Sequence, residues 1–165
     1  MGNSRTDSHL QRLWAPWRTA FLRGPRPRGC IFCRAKRQPR DDRKHLVIAR
    51  GDAAFVLLNL YPYNNGHVMI APYRHVGRLE RLRPGEWRDM LQQLQRVLPN
   101  FTRHLRPHGY NLGMNLGRAG GAGVPGHLHL HLVPRWVGDV NFMPLLTDAK
   151  VISQSLAELY RLLKT

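Results

Sequence analysis

Between Gly126 and Pro134 three histidines recur at strict period two with apolar residues at every other position: His127, Leu128, His129, Leu130, His131, Leu132, Val133. Side chains of an extended strand point to opposite faces in turn, so the spacing predicts a strand with three imidazoles on one face and Leu128, Leu130 and Leu132 on the other. Burying the leucine face contributes roughly 1.5 to 3 kcal/mol per side chain, and a one-residue slip would put the imidazoles in the core, so the register is strongly specified. Upstream, the apolar runs Leu46 to Ala49 and Ala54 to Leu60 flank Arg50-Gly51-Asp52 and predict a hairpin. The turn-rich Pro62-Tyr63-Asn64-Asn65-Gly66 leads into a third strand, His67 to Ala71, and Tyr110 to Leu116 reads as a fourth.

Helical spacing occurs twice. Pro84 suits a first helical position, and Trp87, Met90, Leu91, Leu94, Val97 and Leu98 form a packing stripe from about 84 to 98. Pro99 is expected to end or kink that helix, with Phe101 and Leu105 extending its apolar face beyond the kink. Val151, Ile152, Leu156, Leu159, Leu162 and Leu163 predict a closing helix. Five strands on hairpin-length links and two helices predict an α+β fold, an antiparallel sheet with helices on one face.

The length of 165 residues accommodates one core. Residues 1–28, with Pro16, Pro25 and Pro27 and no sustained period, read as a basic extended arm that docks through Trp14 and Trp17, leaving 29–165 as the domain. No run approaches the roughly 20 apolar residues of a membrane span, and Leu10 to Leu22 is too interrupted for a signal peptide, so a cytoplasmic location is expected. The formal net charge is +16, and thirteen basic residues stand against Asp7, Asp41 and Asp42 in the first fifty. Such a field draws in polyanions, nucleic acid or nucleoside polyphosphates alike, but 22 Arg against 4 Lys fits a coding-composition bias equally well.

Cys30 and Cys33 are the only cysteines, which excludes a disulfide framework. Their C-x-x-C spacing points to metal or redox chemistry, and the missing βαβ pattern around it argues against a thioredoxin-like role. The three histidines read as a catalytic or ligating cluster against the alternatives of a solvated polar strand or an accidental run. The loop Gly117-Arg118-Ala119-Gly120-Gly121-Ala122-Gly123 can turn backbone N–H groups toward an anion, a weak signal that gains weight by leading into the histidines. His9, His45, His104 and His108 read as surface residues, and Tyr61, Tyr63 and Phe55 as either adenine-flanking or core.

His-Leu-His-Leu-His-Leu-Val followed by Pro134-Arg135 resembles the signature of the histidine-triad (HIT) nucleotide hydrolases and transferases. The resemblance extends through Leu58 to Val68, Ala71 to Val76 and Asn115 to Gly126, and covers about Leu46 to Lys164. Leu13 to Arg18 and Trp136 to Phe142 resemble the bacterial branch that includes diadenosine tetraphosphate phosphorylases and hydrolases. The resemblance implies an enzyme that cleaves nucleoside 5′-phosphoric anhydrides, with adenosine phosphoramidates as the alternative substrate. It makes His129 the nucleophile forming a nucleotidyl-histidine, His131 a donor to the phosphoryl oxygens, His127 an orienting residue and His67 the family's fourth histidine. Asn59 and Asn115 become ribose and phosphate contacts, with Gly123 in the phosphate-side loop. It also implies a homodimer, and a structural zinc held by Cys30, Cys33, His75 and His127. A basic zinc-containing nucleic-acid-binding module, in which the histidines are only ligands, remains the competing class.

Overall fold

The computed structural model describes residues 29–139 and 152–165. The arm 1–28, with Trp14 and Trp17, and Val140, Asn141, Phe142 and Val151 lie outside the described residues. Five strands, β1 (Val47–Arg50), β2 (Ala54–Leu58), β3 (Val68–Pro72), β4 (Gly109–Gly113) and β5 (Leu130–Arg135), form one antiparallel sheet in the order β1-β2-β3-β5-β4. Among the described residues the α-helices are α1 (Ile31–Arg37), α2 (Asp42–His45), α3 (Pro84–Leu105) and α4 (Leu156–Leu163). The architecture is the expected α+β one, with two short helices beyond the two that periodicity predicts.

Alternation along the strands sorts the core into two layers. Ile48, Ala54, Val56, Leu58, Val68, Ile70, Leu130 and Leu132 face α3 and α4, where they meet Met90, Val97, Phe101, Leu159 and Leu163. On the opposite face Val47, Phe55, Leu57, Met69 and Ala71 cluster with Phe32 and Ala35 of α1. Helices therefore cover both faces, which corrects the one-face expectation: the face that carries the imidazoles is itself partly roofed by α1.

Pro99 does not end α3, which runs on to Leu105 and closes on Arg106, whose N–H meets the Phe101 carbonyl at 3.2 Å. Pro99 is exposed, so the carbonyl it leaves without an intrahelical donor faces water, and burial of Phe101 on the next turn offsets much of the roughly 3 kcal/mol cost. The stripe also rotates: Glu86, Asp89 and Gln93 are buried beside Met90 and Val97, while Trp87 and Leu91 are exposed. Polar contacts explain this. Asp89 Oδ2 accepts the Ala53 and Ala54 N–H groups at 2.6 and 2.7 Å and its other oxygen accepts from Gln93 at 3.0 Å, capping the β1–β2 turn. Gly51 allows that approach, because a Cβ there would stand 2.6 Å from the Asp89 carboxylate oxygens. Glu86 pairs with Arg74 at 2.7 Å and accepts the Arg83 N–H at 2.9 Å, so Arg74 and the start of α3 share one anchor. The closing helix begins at Leu156, after Ser155, whose Oγ accepts the Glu158 N–H.

A candidate active site beside a Cys2His2 cluster

The ladder of β5 begins at Leu130, three residues later than periodicity predicts, because β3 and β5 pair only through Val68↔Leu132, Met69↔His131 and Ile70↔Leu130. His127 to His129 remain held outside the regular ladder: the Leu128 N–H bonds the Val76 carbonyl at 2.7 Å. Leu130 and Leu132 still face the α3 layer, and His127, His129 and His131 share the α1 face, all three buried. His131 lies in a row with Met69 on one neighbour and Gly113 on the other, and Gly113 leaves open space beside it.

Each imidazole is fixed by a different backbone or ring partner. His127 Nε2 donates to the Pro72 carbonyl at 2.8 Å, so its Nδ1 carries a lone pair. His129 Nδ1 donates to the His127 carbonyl at 2.9 Å, which leaves Nε2 as its basic nitrogen. His67 Nδ1 accepts the Tyr63 N–H at 3.0 Å and lies 3.3 Å from the Asn59 amide. Its Nε2–H therefore donates to His131 Nδ1 at 2.9 Å, and a neutral His131 must carry its own proton on Nε2. Burial pushes His127 down to about 4 and His129 below its ordinary value, so both are neutral at pH 7, the form in which an imidazole is nucleophilic or ligating.

The His127 lone pair points into a second constellation. Cys30 Sγ is 3.3 Å and Cys33 Sγ 3.7 Å from His127 Nδ1, His75 Nδ1 is 3.3 Å from Cys33 Sγ, and the two Nδ1 atoms are 3.2 Å apart. Tetrahedral zinc, with bonds of about 2.0 to 2.3 Å, sets its ligand atoms about 3.3 to 3.8 Å from one another; these four pairs approach that spacing, and all four ligand atoms lie within 4.8 Å of one another. Burial, then the adjoining Cys30, push the Cys33 thiol above its ordinary value, so thiolate there calls for a cation. The structure thus brings together all four residues of the expected ligand set.

The remaining expected residues are placed as follows. Asn59 is half-buried and its Oδ1 accepts the Tyr61 N–H at 3.0 Å, so that amide is oriented by its own turn. Asn115 stands at the start of the glycine loop with Nδ2 3.5 Å from the Gly121 carbonyl, and Gly123 lies exposed within the loop. Tyr63 stacks on His67 with ring centroids 4.7 Å apart, whereas Phe55 is core, stacked on Tyr73, and Tyr61 is exposed. His45 and His108 have partners after all, Gln38 at 2.7 Å and the Val137 N–H at 2.9 Å. Phe32 escaped the sequence reading. Its ring centroid lies 4.9 Å from that of His127 and 5.0 Å from that of His129, and the apolar spacing Ile31, Phe32, Ala35 after Cys30 was its only signal.

The HIT domain family model matches residues 40–137. The chain is 42% identical to the AP-4-A phosphorylase of Mycobacterium tuberculosis over 94% of its own length and 84% of that protein's. It is 34% identical to the asymmetrical bis(5′-nucleosyl)-tetraphosphatase of Schizosaccharomyces pombe over 66% of this chain and 58% of that one. Among solved structures, the fold superposes with a TM-score of 0.63 on a zinc-bound histidine triad family protein from Mycobacterium smegmatis, at 24% identity, covering 82% of this chain and 91% of the other.

Proposed function

As this chain belongs to the HIT domain family, we propose that it cleaves dinucleoside 5′-polyphosphates, diadenosine tetraphosphate foremost, by nucleotidyl transfer through His129. One observation carries the assignment to His129: its Nδ1–H is committed to the His127 carbonyl at 2.9 Å, so the lone pair is confined to Nε2. In the first step Nε2 attacks the α-phosphorus, the Nε2–P bond forms, the bridging P–O bond breaks, and ATP leaves from the tetraphosphate. In the second an oxygen of orthophosphate, or of water, attacks the same phosphorus and the P–N bond breaks, returning the imidazole and releasing ADP or AMP. His131, with its proton on Nε2, donates to the phosphoryl oxygens as charge builds there. Asn59, Asn115 and the loop around Gly123 hold ribose and phosphate.

The name and extent of the mycobacterial relative favour orthophosphate as acceptor. Product analysis with diadenosine tetraphosphate tests this: ADP plus ATP appearing only with orthophosphate is expected, ATP plus AMP in water would make the enzyme a hydrolase, and turnover by His129→Ala would refute the role of His129.

Cys30, Cys33, His75 and His127 would hold a structural zinc, which supplies rigidity at the first residue of the triad. Metal analysis of purified protein should give one zinc per chain, lost in Cys30→Ser. A homodimer is supported by the edge of β4, unpaired among the described residues, where Leu112 is 51% exposed, and light scattering tests it. A reducing cytoplasmic setting suits the thiolate ligands, and no helix among the described residues is long and apolar enough to cross a membrane.

A further inference from the structure

The segment α1 is a poor helix by itself. It has seven residues, its N-cap Cys30 makes no side-chain cap bond, and its first turn holds no acidic residue. It is tied to the sheet by Arg50 Nη2, which donates to the Ala35 carbonyl at 2.8 Å, by burial of Phe32 and Ala35, and by the two thiols facing His75 and His127. Those thiols bracket Phe32 in sequence. The Phe32 side chain is 0% exposed and presses on two imidazoles at once, tilted 44° to His127 and 33° to His129.

His129 needs such a wall. The one hydrogen bond at Nδ1 fixes which nitrogen is basic but leaves a broad torsion about the Cβ–Cγ bond, and the edge-on contact of His131, 4.8 Å between centroids at 73°, bounds the ring on another side. We infer that Phe32 is the positioning residue of His129: ligation of Cys30 and Cys33 pins α1, and α1 wedges the Phe32 ring against the nucleophile's imidazole. Metal occupancy is thereby transmitted to the reacting nitrogen through an apolar contact, without the ion entering the chemistry. The inference rests on the proposed role of His129.

The test uses the full-length, zinc-loaded protein as wild type, Phe32→Ala and Phe32→Leu. Phe32→Ala should lower kcat for diadenosine tetraphosphate by roughly 10- to 100-fold, the range found when outer partners of catalytic ligands are removed, with KM and zinc content unchanged. Phe32→Leu, which restores apolar bulk, should recover most of the loss. In side-chain NMR of labelled histidine, the His129 ring signals should move in Phe32→Ala, and chelating zinc from the wild type should move them in the wild type but not in Phe32→Ala. Unchanged kcat and unchanged His129 signals in Phe32→Ala would overturn the wedge, as would a kcat loss in Phe32→Ala matched by an equal loss of bound zinc. A wild type without turnover would instead strike the proposed function, while the NMR arm would still decide whether Phe32 and the thiol pair control the His129 ring.

Discussion

The relay from Tyr63 through His67 to His131 makes a prediction about direction. The Tyr63 amide can only donate, so His67 Nδ1 accepts, His67 Nε2–H donates to His131, and His131 offers a proton on Nε2. His67→Ala removes the donor, lets His131 take either tautomer, and orphans the Tyr63 N–H. Removing one preoriented donor to a developing phosphoryl charge costs about 2.7 to 4 kcal/mol, or roughly 100- to 1,000-fold in kcat, and that is the loss expected. Glutamine separates the two outcomes. Its carbonyl oxygen can accept from Tyr63 while its amide N–H donates to His131, so His67→Gln should keep kcat within about tenfold of wild type. Glutamate has no proton to give. His67→Glu would draw the His131 proton onto Nδ1 and turn a lone pair toward the phosphoryl oxygens, a loss at least as large as that of alanine. Steady-state release of ADP and ATP, measured by chromatography and accompanied by thermal melts to verify folding, supplies the comparison. If His67→Glu matched or exceeded His67→Gln, the tautomer argument would be wrong.

Three further outcomes follow from the packing. Asp89→Ala strands the buried Ala54 N–H, the half-buried Ala53 N–H and the Gln93 amide, and should cost about 2 to 4 kcal/mol in urea unfolding, seen as a lower midpoint at constant slope. Gly51→Ala pushes a methyl into the same carboxylate and should cost about 1 to 3 kcal/mol, a cost that should shrink in the Asp89→Ala background. Hydrogen bonds from Arg135 hold Asp139 down to about 2, against an ordinary 3.8. Its contribution is therefore complete above pH 3.8 and lost as pH falls toward 2, about 1 to 2 kcal/mol after allowance for the 41% exposed Arg135 side chain, and Asp139→Asn should flatten stability across that window.

The strands were legible because the apolar alternation that predicts them is also what sorts them onto two faces. Leu130 and Leu132 sit in the α3 layer because they are out of phase with the histidines, and no tertiary information was needed. What periodicity could not deliver was anything decided by a single polar contact. Trp87 reads as core, yet it is exposed and Asp89 is buried, since two N–H groups of the β1–β2 turn require an acceptor and α3 rotates to supply it. Pro99 reads as an end or a kink, and burial of Phe101 on the following turn keeps the helix going to Leu105. The metal-capable cluster illustrates a third limit. Cys30 and Cys33 announce themselves by spacing, but their partners lie 42 and 97 residues away in the pairs closest in space, and only the family resemblance named them in advance.

Three chemically identical side chains on one strand are made unequal by the groups around them. The Pro72 carbonyl takes the Nε2 proton of His127 and turns its Nδ1 lone pair toward two thiols and His75. The His127 carbonyl takes the Nδ1 proton of His129 and leaves Nε2 basic. His67, oriented by the Tyr63 amide, gives its proton to His131 Nδ1 and so keeps a donor on the far nitrogen. A lone pair aimed at the Cys2His2 cluster, a basic Nε2 and an Nε2–H donor thus follow one another at period two along a single strand. Because two of the deciding groups are carbonyls and the third is an amide N–H, substitution cannot remove them directly, and the assignment is only as firm as the backbone that carries them. Pro72 ends β3, His127 stands outside the β5 ladder, and Tyr63 lies in the turn between β2 and β3. All three deciding groups therefore sit where the regular ladder of β3 and β5 gives way to chain held by other contacts. Cys30 and Cys33 face His127 in such a place, where the ladder itself does not fix that residue.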